Sequence, residues 1–364
     1  MVMQTHSFRP DYAIPPGEIL EETLEVRGIK KVEFAARCGR PAKTISEIIA
    51  GKAAITPETA IQFERVLDIP ARLWLNLEAK YRLRLAEQTE KEEFVKYHEW
   101  ANSFPIREMV SFGLISKPAN QTDAVEKLLD FLGVGSVQAW EKRFHECAIA
   151  YRRSPSFQSA PQSVAAWLRW GERQADQIEC AAFNEHEFRN ALKEIRLLTK
   201  ERVKVFRPRM VQLCAATGVA VTLVPDLPRT RLSGAARWLT ADKALIQLSL
   251  RHKSDDHLWF TFFHEAGHII LHGKKDVFID EENTEEDEKE KQADRFATNA
   301  LIPYAEWRKF TAGRRLFSKA SVSAFAATQD IAPGVVVGRL QHEGLIPHSH
   351  LNGLKKWFEW TVKT

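Results

Sequence analysis

Two histidines spaced four residues apart, with a glutamate between them, form the motif with the clearest chemistry in this sequence. They are His264 and His268, and Glu265 follows the first. On an α-helix, positions four apart lie on one face, so both imidazoles can bind one zinc ion. Glu265 can then reach a water on that metal. The surrounding segment is largely apolar, which predicts a buried helix whose polar cluster needs a partner such as a metal.

A second segment could complete this metal site. Glu290 and Asp294 are again four residues apart, on a segment whose apolar positions have helical spacing. Glu290 would supply a carboxylate ligand and leave a fourth position open for water. Asp294 would accept the ring N–H of a ligand histidine, which we expect to be His264. The alternative is that Glu290 only ends an acidic, solvated run that starts at Asp280.

His272 lies one helical turn beyond His268, and the sequence leaves its role open. It could help to stabilise the oxyanion during peptide hydrolysis, or it could cap the helix or orient a ligand histidine. The candidate catalytic residues are therefore Glu265, as the general base that also returns a proton to the leaving amine, and His272.

The composition favours a soluble protein of several domains. At 364 residues the chain is too long for one ordinary core, and its 44% hydrophobic and 27% charged residues are typical of globular proteins. It has no run of about eighteen apolar residues, and no basic segment followed by an apolar core near the N-terminus. Both observations argue against a membrane or secreted protein.

The cysteines and the net charge give two weaker indications. Cys38, Cys147, Cys180 and Cys214 are far apart and lack paired metal-binding spacing. With so few cysteines we expect a reduced, cytoplasmic compartment. The net charge of +4 is too small to indicate nucleic-acid binding by itself.

Residues 16–81 have the pattern of a helix-turn-helix bundle. Apolar spacing predicts helices at 18–26, 32–38 and 41–50, and a glycine follows each of them. Gly39 would form the tight turn between the second and third helices. The sequence therefore predicts a small DNA-binding domain.

Basic residues concentrate around the third helix of this bundle. Between residues 27 and 52 there are seven basic residues and two acids. Polar groups at the start of a recognition helix can reach base edges in a major groove, and lysines beside it suit phosphates. The candidate DNA-binding residues are Lys30, Lys31, Arg40, Lys43, Thr44, Glu47 and Lys52. Of these, Arg40, Lys43, Thr44 and Glu47 would lie on the outer face of the third helix, while Ile45, Ile48 and Ile49 pack inward. The alternative is a helical bundle whose exposed face is only solvated.

This segment resembles the HigA antitoxin branch of the Xre-type helix-turn-helix regulators over about sixty-five residues. The residues that carry the resemblance are 16–20, 44–52, 55–60 and 73–77. It implies a homodimeric repressor that binds a double-stranded operator palindrome and can neutralise a cognate toxin. Arg40 and Pro41 stand where that branch often has a small hydrophobic residue and a serine, so no operator sequence is implied.

Residues 82–200 are predicted to be mostly helical and carry no chemistry that we can assign. A charged helix at 86–100 could be a spacer, and apolar stripes at 124–132 and 165–172 suit helix packing. Residues 152–157 are predicted to form a loop.

Residues 201–311 combine the predicted helix that carries His264 and His268 with short strands. Apolar and β-branched runs at 218–224, 233–239 and 244–248 predict a small sheet. An edge strand of such a sheet can hold an extended peptide by backbone pairing, and residues 245–249 are the candidate for that strand.

This unit resembles the ImmA/IrrE family of zinc metallopeptidases over about one hundred residues. The matching segments are 246–249, 263–272 and 290–303. The resemblance implies one Zn²⁺ per chain and limited proteolysis of transcriptional repressors. By position it assigns His264, His268 and Glu290 as ligands and Glu265 as the catalytic carboxylate.

The tail, residues 318–364, contains two short helical stretches around the turn at Ala332, Pro333 and Gly334. They resemble a second helix-turn-helix, but their outward face is less basic than the first, which favours a packing role over DNA contact.

Taken as a whole, the sequence predicts a mainly α, multidomain α+β protein with a small sheet. The domains would be 16–81, 82–200, 201–311 and 318–364. One hypothesis is a DNA-binding regulator with a zinc endopeptidase that cleaves itself or a partner regulator. The opposing hypothesis is a non-enzymatic antitoxin and autorepressor whose zinc unit senses metal or binds a toxin.

Overall fold

The computed structural model describes residues 14–143, 160–272, 284–313 and 316–360. The chain divides into two units, Met1–His98 and Glu99–Thr364. The loop predicted at 152–157, and the part of the acidic run before residue 284, lie outside the described residues.

The described part of the first unit is helical, as predicted. Its helices are α1 (Pro16–Val26), α2 (Lys31–Cys38), α3 (Ala42–Ile49), α4 (Pro57–Leu67) and α5 (Ala71–Phe94), and a 3-10 turn follows at Val95–Tyr97. No glycine or proline interrupts α5. The helix therefore continues through residue 81, where the sequence pattern placed a domain boundary.

A tight turn joins α2 to α3 and sets the direction of α3. Gly39 adopts a φ of 65° in this turn, a left-handed conformation that favours glycine. The turn lets Ile45 of α3 pack with Phe34 and Phe63 in the core of the unit, beside Trp74. Since this face of α3 is buried, its opposite face is left for solvent or a ligand.

The second unit surrounds a small sheet with helices. The helices include α6 (His98–Asn102), α7 (Ile106–Ser111), α8 (Gln121–Leu132), α9 (Pro161–Ala175), α10 (Glu185–Leu197), α11 (Val203–Ala215), α12 (Asp255–Leu271), α13 (Thr284–Leu301), α14 (Tyr304–Thr311), α15 (Lys319–Thr328) and α16 (Pro333–His342). Short 3-10 turns lie at Leu198–Lys200 and Asn352–Leu354. The strands are β1 (Val219–Leu223), β2 (Gly234–Thr240) and β3 (Lys243–Leu248).

The three strands confirm the predicted sheet but not the predicted edge strand. Their order is β1-β3-β2, with β1 parallel and β2 antiparallel to β3. Residues 245–249 were expected to form the substrate-binding edge, and this expectation is wrong. β3 forms backbone hydrogen bonds on both sides, so β2 is the edge strand on the side next to α12.

Helix α12, which carries His264 and His268, is at the centre of the hydrophobic core of the second unit. Trp259, Phe262 and Phe263 are almost fully buried and pack with Val221 and Ile246 of the sheet. These aromatic side chains give the helix large apolar contact areas, which hold it in one orientation on the sheet. The polar face of α12 is thereby turned toward α13.

The tail packs into this same core. Val336 and Leu340 of α16 are fully buried with the residues of α12. Beyond α16, Lys355 places its Nζ 2.7 Å from Oδ2 of Asp256 at the start of α12, and both side chains are 7% exposed. The packing role expected for the tail is therefore observed.

None of the described helices is by itself long and apolar enough to cross a membrane. α15 and α16 reach the length and apolar composition of a membrane span only when taken together, and they are bent by 113° relative to each other.

Candidate metal centre and nucleic-acid surface

Helices α12 and α13 bring together the side chains that the sequence singled out for metal binding. The Nε2 atoms of His264 and His268 are 3.0 Å apart. The Glu290 carboxylate reaches both of them, with Oε2 3.1 Å from Nε2 of His264 and Oε1 3.4 Å from Nε2 of His268. Among the described residues, these three form the group of donors that could hold one metal ion.

The geometry of this group fits zinc. Zinc–ligand distances of about 2.0–2.1 Å separate the ligand atoms of a tetrahedral site by roughly 3.3 Å. The observed separations of 3.0–3.4 Å are close to that value. Two imidazoles and one carboxylate are also the donor set of zinc sites that keep a fourth position for water.

Asp294 orients the first histidine from the neighbouring helix. Its Oδ1 atom lies 2.9 Å from Nδ1 of His264. When Nδ1 donates to this carboxylate, Nε2 of the neutral ring is the atom with a free lone pair, and it faces Glu290 and His268. This contact is the arrangement that a carboxylate–histidine–zinc triad requires.

The carboxylates around His264 also control its charge. Burial disfavours the charged imidazole, but hydrogen bonds with Asp294 and Glu290 and the nearby Glu265 carboxylate raise the pKa of His264 to about 10. Burial alone would raise the pKa of Glu290, yet its contacts with the two histidines hold that pKa far below the usual range. A metal ion bound at Nε2 of His264 would therefore displace a proton from this imidazole.

Glu265 is buried beside the edge strand and lies outside the ligand group. Its side chain is in van der Waals reach of Gly234 in β2, where an added Cβ would lie 2.7 Å from Oε1 of Glu265. The backbone N–H of Ala236 donates a hydrogen bond to Glu265. Burial raises the pKa of the Glu265 carboxyl, while His264 and His268 act in the opposite direction.

His272 follows the last residue of α12 and contacts His268, a candidate ligand. Its Nδ1 atom is 3.0 Å from Nδ1 of His268, and the residue is 7% exposed. One of these nitrogens must donate and the other accept, so the contact can fix the tautomer of His268. The structure thus places His272 behind His268, and it leaves a catalytic role for His272 as a prediction.

The spacing of His264, Glu265 and His268 does not predict the contacts that β2 makes with Glu265. The only sequence signal was Gly234 at the start of a predicted strand, since a glycine in a strand often marks a close approach of another element. Which element approaches depends on the order of the strands, and this order is not encoded in local spacing.

The candidate DNA-binding surface of the first unit is formed by α3 and the turns around it. The Lys43 side chain is 85% exposed and lies 3.8 Å from Glu47 one turn along. Thr44 is partly exposed beside them, whereas Ile45 and Ile48 are buried. This division is the one expected of a helix that can enter a groove.

The other candidate DNA-binding residues lie outside α3. Lys30 and Lys52 are exposed before α2 and after α3, and Lys31 pairs with Glu21. Arg40 was expected on the third helix, but it lies in the turn before α3. Its Nε donates to Oε1 of Gln62 at 2.7 Å.

Two domain families match this chain. The helix-turn-helix family matches residues 20–74. The IrrE N-terminal-like domain, a peptidase family, matches residues 230–327, which include β2, β3, the three side chains of the candidate metal site and most of α15.

Several known proteins are similar to the first unit. The HTH-type transcriptional regulator YddM of Escherichia coli is 38% identical over 74 residues, which are 20% of this chain and 79% of that protein. Virulence-associated protein I of Dichelobacter nodosus is 38% identical over 77 residues, 21% of this chain and 71% of that protein. The solved Pseudomonas aeruginosa antitoxin HigA with the higBA promoter is 30% identical, covering 22% of this chain and 90% of its own, with a TM-score of 0.22.

Proposed function

This chain belongs to the HTH-type transcriptional regulators and carries an IrrE N-terminal-like domain, and we propose that it joins DNA binding to zinc-dependent endopeptidase activity. The observation that carries the proposal is the convergence of His264, His268 and Glu290 on one point, with Glu265 buried beside them. A purely structural zinc site is normally closed by four protein ligands, whereas three ligands leave room for water and substrate.

Each residue of the centre has a role in this proposal. Zinc held by His264, His268 and Glu290 would lower the pKa of a water toward about 7 and polarise the scissile carbonyl. Glu265 accepts the proton of the attacking water and passes it to the leaving amine. A raised pKa suits this role, because the carboxyl must both gain and release a proton near neutral pH.

The edge strand β2 gives the peptide its position. One side of β2 pairs with β3, and none of the described strands pairs with the other side. An extended peptide added to that side would pair with backbone groups of β2 other than the Ala236 N–H, which donates to Glu265. Because Gly234 and Ala236 of β2 contact Glu265, such a peptide would pass directly beside the catalytic carboxylate.

The DNA-binding unit suggests the class of substrate. We place α3 in the major groove of a double-stranded operator, with Lys30 and Lys52 on phosphates, and we expect a homodimer. A peptidase tethered to a promoter is held close to transcriptional regulators. We therefore propose that it cleaves either this chain itself or a partner regulator.

A mixture of capped decapeptides of varied sequence, analysed by mass spectrometry, tests the peptidase activity. Zinc-loaded wild type should cleave members of the mixture, and a zinc chelator should stop it. The Glu265→Gln variant should keep its zinc and cleave nothing, since the amide cannot accept the proton. Cleavage by this variant would exclude Glu265 as the base. Zinc-loaded wild type that leaves both the mixture and its own chain intact would favour a non-enzymatic antitoxin that senses metal or binds a toxin.

A further inference from the structure

A cavity of about 170 Å³ lies between α12, α13 and α16. Its lining includes Phe260 of α12 and Thr298 and Leu301 of α13. Phe260 is four residues before the ligand His264, and Thr298 is four residues after Asp294. The cavity therefore begins one turn along the same two helix faces that carry the metal centre.

The ring of Phe260 lies between the cavity and the candidate metal centre. The Phe260 ring has its centroid 6.1 Å from that of His264 and 6.3 Å from that of His342 at the far wall. One helical turn rises about 5.4 Å, while an extended peptide advances about 3.3 Å per residue. A residue adjoining the scissile bond, together with its side chain, therefore spans the one-turn distance from the candidate metal centre to the cavity lining at Phe260.

The charged groups of the lining already have partners in the protein. Asp256 pairs with Lys355 at 2.7 Å. Arg339 donates to the carbonyl oxygen of Ile302 at 2.9 Å and pairs with Glu343 at the same distance. A charged ligand would gain little from groups that are neutralised in this way, and it would lose hydration on entry.

The apolar part of the lining and the volume define what fits. Phe260, Leu301, Ile302 and Val335 present hydrocarbon surface to the space. A cavity of about 150 Å³ with an apolar lining holds a benzene ring in another protein. The cavity of 170 Å³ can therefore hold one phenylalanine, leucine or methionine side chain.

Ligand sites are concave and mostly apolar, and this space beside the candidate metal centre has both properties. The exposed residues His342 and His348 are also part of its lining, which gives the space an opening to solvent. We propose that this cavity is a specificity pocket that takes a large apolar side chain of the peptide next to the scissile bond. The proposal rests on the peptidase function proposed above.

Substitutions that fill or enlarge the pocket test this inference with the same decapeptide mixture. Wild type should prefer leucine, methionine or phenylalanine over alanine at one position beside the cleaved bond by about tenfold or more. Thr298→Phe, at a half-buried position, should reduce that preference to below about threefold, because its ring occupies the space. Leu301→Ala should shift the preference toward tryptophan. Val205→Phe is the matched control at an exposed position of α11 and should keep the wild-type pattern.

A binding series gives a second readout that does not depend on turnover. Capped tetrapeptides Ala-Ala-X-Ala, with X as alanine, leucine or phenylalanine, are titrated into zinc-loaded Glu265→Gln. The leucine and phenylalanine peptides should bind about tenfold more tightly than the alanine peptide, and adding Thr298→Phe should remove the difference.

The two proposals can fail separately. Cleavage by wild type with the same side-chain preference in both Thr298→Phe and Leu301→Ala would overturn the pocket and leave the peptidase. If wild type cleaves nothing, the peptidase proposal fails, and equal binding of the three tetrapeptides would overturn the pocket as well. If Thr298→Phe does not fold, the shift expected for Leu301→Ala decides the question.

Discussion

His264 and Asp294 lie on different helices, and their Nδ1 and Oδ1 atoms are 2.9 Å apart. The contact turns Nε2 of His264 toward Glu290 and His268. A ligand set that is already oriented loses little conformational entropy on binding. The pair therefore links the packing of α12 against α13 to the affinity for metal.

Removing the Asp294 carboxylate should weaken zinc binding without removing a ligand. Asp294→Ala should lower the affinity about 10- to 100-fold, because His264 then loses the group that fixes its tautomer and orientation. Competition with a chromophoric chelator measures the change. Glu194→Ala removes a surface carboxylate that pairs with Arg209 in the same unit, and it serves as the control. Equal affinities for the two variants would contradict the orienting role.

Zinc affinity should rise with pH. The pKa of His264 is raised to about 10, so the imidazole carries a proton at neutral pH and must lose it to bind metal. Release of one proton makes the apparent affinity increase by about tenfold per pH unit below the pKa of His264. Chelator competition between roughly pH 6.5 and 8.5 should show this slope. An affinity independent of pH would contradict the protonated state of the metal-free site.

The buried pair formed by Lys355 and Asp256 should be important for stability. Lys355→Met leaves the Asp256 carboxylate buried without its partner and should lower the free energy of unfolding by about 3–5 kcal/mol. Urea titration followed by circular dichroism measures the loss. Lys309→Met breaks a solvent-exposed pair with Glu306 and should cost at most about 1 kcal/mol. Similar losses for both variants would show that the tail is not held by the buried pair.

Lys52 and Thr44 should affect DNA binding in different ways. Lys52→Ala should weaken binding to all sequences and reduce the salt slope by about 1, as expected for one lost phosphate contact. Thr44→Ala should change which sequences are preferred, since Thr44 lies on the exposed side of α3. Double-stranded DNA selected by the full chain from a random pool is the probe. Lys80→Ala, on α5, is the control. A salt slope unchanged by Lys52→Ala would remove that residue from the interface.

The sequence was informative where chemistry depends on local spacing. His264 and His268 are four apart on a helix, so their common face could be predicted, as could the burial of Ile45 and Ile48 in α3. Glu290 was a candidate ligand because its segment has a helical face that can pack on another helix. Helical periodicity extends over several turns, so a helical face can be predicted even when the first and last residues of the helix are slightly misplaced.

Features that depend on tertiary packing could not be predicted in this way. An apolar run at 244–248 predicts a strand, but it cannot say that β3 pairs on both sides and β2 on one. The contact of Gly234 with Glu265 depends on how β2 packs on α12. The pocket beside Phe260 depends on how α12, α13 and α16 pack together. The sequence pattern placed the tail in a different domain from α12, because Lys355 and Asp256 pair in space but are 99 residues apart in sequence.

Native mass spectrometry of protein from zinc-replete cells tests the central claim most directly. Wild type and Glu265→Gln should each carry one zinc ion per chain, while Glu290→Ala should lose most of its zinc because it lacks a ligand. This pattern would place Glu265 outside the ligand set and Glu290 within it. Wild type without zinc, or Glu290→Ala with undiminished zinc, would contradict the account.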